Sequence, residues 1–263
     1  MSQPPPNDST RVYARRVTSL RSDGEHSMNA EPPRPRTVGH RGAGALAPEN
    51  TLPAVQLPID HGLDLVEVDV HLSRDGEVMV IHDEDLRALA RGTERVADLT
   101  AAELARVDLG AGQSVPRLVE IFALARGRIG VYVELKGAGT GAAVGRLARD
   151  GAAQGVELIS GSFEPVLVQE LRAAAPAIPR SVLFRRTSIA EMIDTCAAVG
   201  ARYAHPCFRP LEASLVDALH AAGLLVMAPH TNDPTEARAF AQRGIDVLAT
   251  DDPQVLSASS LAG

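Results

Sequence analysis

The sequence contains few aromatic residues: they make up 3% of its 263 residues, and none of them is Trp. Base stacking and aromatic sugar platforms therefore have few side chains to use. The net charge of −7 also leaves no basic excess, which a general nucleic-acid binder needs to hold phosphates. These two absences predict a protein without a nucleic-acid partner.

Long apolar runs and clusters of cysteine are missing as well. No stretch approaches the roughly 20 apolar residues that a membrane helix requires, and we find no signal-peptide core. The two cysteines, Cys196 and Cys207, fit no metal-ligand spacing, so we expect buried thiols in a reducing compartment. Together these features predict a cytoplasmic protein without a membrane span. They do not define an oligomeric state.

Residues 1–36 differ in composition from the rest of the chain. They are rich in Pro, Arg and Ser and show little apolar periodicity, which predicts a disordered leader. Met28 lies just before the region where the folded pattern begins, so translation could start at Met1 or at Met28. We expect the folded domain to span 37–257, followed by a short tail at 258–263.

From Thr37 onward, short β-rich runs alternate with Ala- and Leu-rich segments of helical length. The predicted strands are Thr37–Gly39, Leu65–Val70, Ile129–Leu135, Val156–Ser160, Ser181–Phe184, Arg202–Ala204, Leu224–Ala228 and Asp246–Ala249. Eight strands with helices between them over about 220 residues favour a (β/α)8 TIM barrel. A doubly wound open sheet has the same alternation and stays the alternative.

One stretch, "VEVDVHLSRDGEVMVIHD", contains two strands with no helix between them. The Asp75-Gly76 pair between apolar runs is a strong hairpin signal. A two-residue loop would place His82 opposite Asp69, and a four-residue loop would place it opposite Glu67. In both registers the imidazole meets the carboxylates, whereas a three-residue loop would turn the ring to the other face.

Polar side chains stand at the ends of the first three barrel strands. They are His40, Arg41, Glu67, Asp69, Glu134 and Lys136. A buried strand of a parallel sheet normally reads as a continuous apolar run, and buried acids cost free energy unless a partner compensates them. In barrels, the chemistry gathers at the carboxyl ends of the strands. We therefore expect these six side chains to form one site.

The residue types in this set indicate the chemistry. Three carboxylates, Glu67, Asp69 and Glu134, offer oxygen ligands only, which favours Mg²⁺ or Ca²⁺. Beside them, Arg41 and Lys136 would hold an anion, and a phosphate matches that charge best. The alternative without a catalytic role is a structural salt-bridge network of Glu67 and Asp69 with Lys136 as their counter-ion, and an ordinary surface position for Arg41 beside His40.

Two histidines complete the set. His40 and His82 could supply a base and an acid near neutral pH, although a single histidine is often a satisfied core residue. Glu49, in "PENT", could orient His40 or Arg41, or simply favour the start of the following helix. The combination predicts metal-assisted cleavage of a phosphate ester.

At these residues the chain resembles the glycerophosphodiester phosphodiesterase family. The motifs that carry the resemblance occur in order: "GHRGAGALAPENT", "VEVDVHLSRDG", "VMVIHD", "VPRLVEI", "VELK" and "GIDVLATDDP". The resemblance implies a barrel with a small insertion, at about 83–113, beside the active-site mouth. It also implies hydrolysis of glycerophosphodiesters to an alcohol and glycerol 3-phosphate.

The resemblance further implies a role for individual residues. It places the metal on Glu67, Asp69 and Glu134, the acid–base chemistry on His40 and His82, and the phosphate contacts on Arg41 and Lys136. One motif departs from the family: where Trp-Thr-Val-Asn is frequent, this chain reads "MAPHTND". The alcohol moiety of the substrate is therefore left open.

Three other functions stay compatible with the sequence. A barrel that binds phosphate esters without cleaving them would have the same fold, since fold does not imply function. A metal-dependent sugar isomerase also uses carboxylates at a barrel mouth, but it has less need of Arg41 and Lys136. A lysophospholipase D-like lipid phosphodiesterase would need an apolar docking patch, and the sequence shows no obvious one.

Overall fold

The structure, a computed structural model, describes residues 34–87 and 92–257. Most of the predicted leader, the predicted tail at 258–263 and residues 88–91 of the predicted insertion lie outside the described residues. The first strand begins at Arg36, one residue before the predicted start of the folded domain.

Eleven strands and eight helices are numbered separately in chain order within the described residues. The strands are β1 (Arg36–Gly39), β2 (Leu65–Leu72), β3 (Val78–Val80), β4 (Asp108–Gly110), β5 (Gln113–Ser114), β6 (Gly130–Leu135), β7 (Leu158–Ser162), β8 (Arg180–Phe184), β9 (Tyr203–Pro206), β10 (Leu225–Val226) and β11 (Val247–Thr250). The helices are α1 (Leu52–Asp60), α2 (Ala101–Leu104), α3 (Leu118–Ala125), α4 (Thr140–Arg149), α5 (Pro165–Ala174), α6 (Ile189–Val199), α7 (Ala213–Ala221) and α8 (Pro234–Gln242). Short 3₁₀ helices lie at Val96–Asp98 and Pro253–Leu256.

Eight parallel strands form a nearly closed barrel. Their order is β10-β9-β8-β7-β6-β2-β1-β11, and a parallel bridge between Met227 and Val247 joins the two ends of that series. An open doubly wound sheet would leave those ends apart. The predicted (β/α)8 barrel is therefore confirmed, and all eight predicted strands are present with small shifts at their ends.

The strands alternate between two environments, because successive side chains of a strand point to opposite faces. One face fills the barrel with an apolar cluster: Val38, Leu65, Tyr132, Ile159, Leu183, Tyr203, Met227, Val247 and Ala249. The other face packs under the helices, as Val66 and Val68 do. Two residues beyond Leu65 and Tyr132, the inward positions are Glu67 and Glu134, so the alternation carries polar groups to the barrel mouth.

The hairpin between β2 and β3 differs from the prediction. Val70 pairs with Val80 and Leu72 with Val78, so the connection runs from Ser73 to Glu77. Inside it, the Ser73 hydroxyl donates to Asp75 and accepts from the Glu77 N–H, which closes a five-residue turn. Both predicted registers are therefore wrong by one residue, and the observed pairing has the register of a three-residue loop, which we expected to turn His82 to the other face.

The insertion follows His82 and includes a short 3₁₀ helix, α2 and the β4–β5 hairpin. A separate apolar cluster fastens it to β3, with Met79 and Ile81 from the hairpin against Leu86, Val96 and Leu104. Across the parts of the chain that the structure describes, no helix has both the length and the apolar character needed to cross a membrane.

Candidate active site

Three carboxylates meet at the carboxyl ends of neighbouring strands. Asp69 of β2 lies in register with Glu134 of β6, and Glu67 lies two residues earlier on the same face. Ligand oxygens of the three residues lie within 4.8 Å of one another. The side chains are buried, with residue exposures of 5% for Glu67, 1% for Asp69 and 8% for Glu134.

Glu67 is the least compensated of the three. One oxygen, Oε2, accepts a hydrogen bond of 2.7 Å from the Arg41 N–H, but the buried Oε1 has no hydrogen-bond partner. Burial raises the pKa of Glu67 well above its usual value, and the neighbouring Asp69 and Glu134 raise it further. A divalent cation would neutralise this carboxylate, and the oxygen-only donor set suits a hard cation. The residues therefore fit a metal site.

Asp69 is held by Asn50 through two hydrogen bonds of 3.0 Å. The Asn50 side-chain amide donates to Asp69 Oδ2, and its carbonyl oxygen accepts from the Asp69 N–H. Burial would raise the pKa of Asp69, but Lys136 and other neighbours bring it below its usual value. The sequence analysis passed over Asn50, although it directly follows Glu49 in "PENT".

Lys136 lies between two of the carboxylates. Its Nζ is 3.5 Å from Asp69 Oδ1 and donates a hydrogen bond of 3.0 Å to Glu134 Oε1. Burial would lower the pKa of this lysine, but the two carboxylates raise it, so the group stays charged. Burial and Asp69 in turn raise the pKa of Glu134.

Arg41 occupies a strained backbone position for a residue other than glycine, with φ of 51°. The Nη1 atom donates to both oxygens of Glu49 at 2.9 and 3.0 Å, and Nε lies 3.6 Å from Asp69 Oδ2. Of the two partners considered for Glu49, the structure places Arg41 against it. The guanidinium is thereby directed toward the carboxylate cluster.

His40 is backed by a carboxylate that the sequence analysis missed. Its Nδ1 lies 2.7 Å from Asp251 Oδ1, and the Asn232 side-chain amide donates to Asp251 Oδ2 at 3.0 Å. Burial opposes ionisation of Asp251, but the hydrogen bond and charge of His40, together with Asn232 and His230, outweigh it and lower the pKa to about 2. The carboxylate therefore accepts from Nδ1–H and leaves Nε2 of His40 for chemistry.

The ring of His230 stacks on His40, with centroids 4.1 Å apart and an angle of 8° between the planes. Burial and the neighbouring His40 lower the pKa of His230. Both rings and Asp251 line a cleft of about 270 Å³ together with Arg41 and Glu49. Ring nitrogens direct their lone pairs within the ring plane, so two parallel stacked rings are poorly arranged to share one ion with Asp251.

His82 has surroundings that parallel those of His40. Its Nδ1 lies 2.7 Å from Asp83 Oδ1, so this ring also has a carboxylate behind it. The charge of His82 acts on Asp69 and Glu134, although the predicted hairpin register is wrong. His82 lies beyond the end of β3 at Val80, so the alternation of the strand does not fix the direction of its ring. Nε2 of His71 lies 3.1 Å from the His82 carbonyl oxygen.

Two serines near the site are structural. Ser160 and Ser162 donate to the carbonyl oxygens of Val133 and Leu135 at 2.8 and 2.7 Å. Their hydroxyls therefore join neighbouring strands.

Carboxylates, two cations and two carboxylate-backed histidines thus surround the mouth of a (β/α)8 barrel. Such a barrel suits the binding and cleavage of phosphate esters, because it places cations for the phosphate beside groups that transfer protons. A family model described as "Glycerophosphoryl diester phosphodiesterase family" matches residues 40–255. The chain belongs to this family of phosphoric diester hydrolases.

Known relatives extend over most of the chain. A glycerophosphodiester phosphodiesterase of Caldanaerobacter subterraneus is 26% identical, over 83% of this chain and 95% of that protein. The crystal structure of a glycerophosphodiester phosphodiesterase from Agrobacterium tumefaciens is similar with a TM-score of 0.72 and 32% identity, covering 85% of this chain and 100% of that one. A phosphodiesterase of Oleispira antarctica, solved in complex with the product sn-glycerol-3-phosphate, has a TM-score of 0.78 and 26% identity, covering 88% and 98%.

Proposed function

We propose that this protein hydrolyses glycerophosphodiesters to an alcohol and glycerol 3-phosphate with the help of Mg²⁺ or Ca²⁺. The observation that carries the proposal is the unpartnered, buried Oε1 of Glu67 within a cluster of three carboxylates. The sn-glycerol-3-phosphate bound to the Oleispira phosphodiesterase supports the choice of product.

Glu67, Asp69 and Glu134 would hold the cation. When bound, it would supply positive charge to a phosphate oxygen. Arg41 and Lys136 flank the cluster and would bind the nonbridging phosphate oxygens, where negative charge increases in the transition state. Glu49 and Asn50 would keep the guanidinium of Arg41 and the carboxylate of Asp69 in place.

The two histidines would move the protons. One would take a proton from the attacking hydroxyl. That hydroxyl belongs either to water or to the neighbouring carbon of the glycerol, and in the second case a cyclic phosphate forms first. The other would donate a proton to the leaving alkoxide. Asp251 and Asp83 give both rings the same tautomer, with Nε2 left for proton transfer. A leaving-group experiment is therefore needed to assign the acid and the base.

The exposed surface favours a small glycerophosphodiester over a lysophospholipid. Among the described residues, the large hydrophobic side chains that are exposed are Leu46 and Val166. Two separate side chains do not form the apolar patch that docking on a lipid surface would need.

A panel of phosphodiesters tests the proposal. We expect glycerol 3-phosphate and an alcohol as products, no turnover after chelation, and recovery with Mg²⁺ or Ca²⁺. Full activity in a chelator-stripped protein would contradict the metal assignment. Binding of glycerophosphodiesters without turnover under all metal conditions would instead identify a binding barrel.

A further inference from the structure

Two arginines, Arg185 and Arg186, directly follow β8. Leu183 belongs to the apolar cluster inside the barrel, whereas Phe184 belongs to the cluster beneath the helices. Arg185 and Arg186 follow the end of the strand, and their ring contacts show that they point in different directions: Arg185 lies over Phe163, which packs against the inner cluster, whereas Arg186 lies over Phe208, which packs against the outer cluster. Arg185 is thus at the same end of the barrel as the carboxylates, two strands from β6.

Phe163 holds the guanidinium of Arg185 over the mouth. The Arg185 Cζ lies 4.7 Å from the centroid of the Phe163 ring, and that ring packs against the inner apolar cluster. Phe163 follows β7, the strand between β8 and β6, so Arg185 leans toward Lys136 and Glu134. The pKa of the Cys207 thiol agrees with this placement. Burial and Glu134 raise it to about 12, whereas the charges of Lys136 and Arg185 both act to lower it.

Within the described residues, no carboxylate compensates the charge of Arg185. Arg41 and Lys136 each lie beside carboxylates, but no carboxylate of the described residues is within ion-pair distance of the exposed Arg185. An unpaired guanidinium at the mouth of a cleft attracts anions and binds carboxylate or phosphate in a planar geometry.

We propose that Arg185 binds a second negative group, a carboxylate or a phosphate, on the alcohol moiety of the substrate. The protein then prefers glycerophosphodiesters with an anionic alcohol moiety to those with a cationic one. This inference rests on the proposed function: with the diester phosphate at Arg41 and Lys136, an alcohol moiety that extends across the mouth toward β8 meets Arg185.

The neighbouring Arg186 offers a matched control. Its Cζ lies 5.1 Å from the centroid of Phe208, which packs in the outer cluster, and it donates a hydrogen bond to the Arg209 carbonyl oxygen. Arg146, exposed in the last turn of α4, provides a second control at a distance from the mouth.

Three substrates that differ mainly in charge test the proposal: glycerophosphoethanolamine, its neutral N-acetyl derivative and its anionic N-succinyl derivative. For the wild type at low salt, we expect kcat/KM to be about tenfold higher for the anionic than for the cationic substrate, and the ratio to shrink at 0.5 M salt through screening. Arg185→Gln should bring the ratio close to one, mainly through the anionic substrate. Arg186→Gln and Arg146→Gln should keep the wild-type ratio.

Other outcomes would overturn the proposal. A wild-type ratio near one would remove the charge preference, and an equal loss for all three substrates in Arg185→Gln would place Arg185 on the diester phosphate instead. The same change in Arg186→Gln would indicate general surface charge. If no substrate is turned over, the proposed function fails, and calorimetric dissociation constants of the three compounds then decide whether Arg185 selects the anion.

Discussion

The inside of the barrel has two layers that differ in chemistry although the same strands build them. In the lower layer, Leu65 and Tyr132 are buried among other apolar side chains. One inward position further along the same strands, the upper layer has Glu67 and Glu134, which are almost as buried but carry ionisable groups. On each strand the two layers are only two residues apart, which is one period of a strand.

This difference shows how the fold separates stability from activity. Burial of Leu65 removes apolar surface from water and stabilises the folded chain. Burial of Glu67 raises its pKa, so an ionised Glu67 costs free energy unless a cation compensates it. Substitutions in the upper layer should therefore reduce activity with little loss of stability, and those in the lower layer should do the reverse.

The largest effect is expected for Asp69→Asn. This change removes a carboxylate from the proposed metal site and from Lys136, so kcat/KM for a glycerophosphodiester should fall by about 10³-fold or more. The melting temperature of this variant should change little. In the control Asp150→Asn, at the exposed end of α4, neither kcat/KM nor the melting temperature should change much. Wild-type activity of Asp69→Asn would remove this residue from the site.

His82→Gln should lower kcat by about 10²–10⁴-fold if the ring protonates the leaving alkoxide. The defect should shrink for a nitrophenyl ester, because nitrophenolate leaves without a proton. If His40 is the base, His40→Gln should retain its defect with that ester. Equal defects of His82→Gln on both substrates, measured by steady-state kinetics, would exclude the acid role.

In the lower layer, Leu65→Ala should lower the free energy of unfolding by about 2–5 kcal/mol, because it leaves a cavity in the packed interior. Urea denaturation measures this change. At a temperature where the variant is folded, its kcat/KM should stay close to that of the wild type. A large loss of activity without a loss of stability would show that the two layers are not separable.

Asp251→Asn should lower kcat/KM by about 10–100-fold through misorientation of His40. The His40→Gln/Asp251→Asn double variant should be no worse than His40→Gln alone, since both changes would remove one function. Additive losses would contradict the positioning role. Asp251→Glu keeps a carboxylate at this position, so it should be more active than Asp251→Asn.

The smallest expected effect is a pH dependence of stability from His205 on β9. Burial lowers its pKa to about 4, and the inward-facing ring contacts the Ala228 carbonyl oxygen through Nε2. Between about pH 6.5 and pH 4, the unfolded chain binds a proton here that the folded chain does not, so the free energy of unfolding falls as pH falls, by at most about 1.4 kcal/mol per pH unit. His205→Gln should flatten this slope in urea denaturation at several pH values. An unchanged slope would assign the acid sensitivity to other groups.

The strand pattern of the sequence predicted alternating strands and helices, which left a barrel or a doubly wound sheet, and it was sufficient to bring Glu67, Asp69 and Glu134 to one end of the sheet. Apolar runs interrupted by acids at every second position have one simple interpretation in a parallel barrel, because strand ends meet at its mouth. His40, Arg41 and Lys136 could be placed for the same reason. The predicted positions of these residues follow from local periodicity, which can be read from a single sequence.

Other features were decided by the tertiary structure. The hairpin register depends on hydrogen bonds inside a five-residue turn, so counting Asp75-Gly76 as a short loop gave the wrong pairing. Asp251 reaches His40 across 211 residues only because β11 pairs with β1 and closes the barrel. The placement of Arg185 over Phe163 likewise requires two strands to be neighbours. Side-chain partners of this kind depend on which elements pack together, and the local periodicity of the sequence does not contain that information.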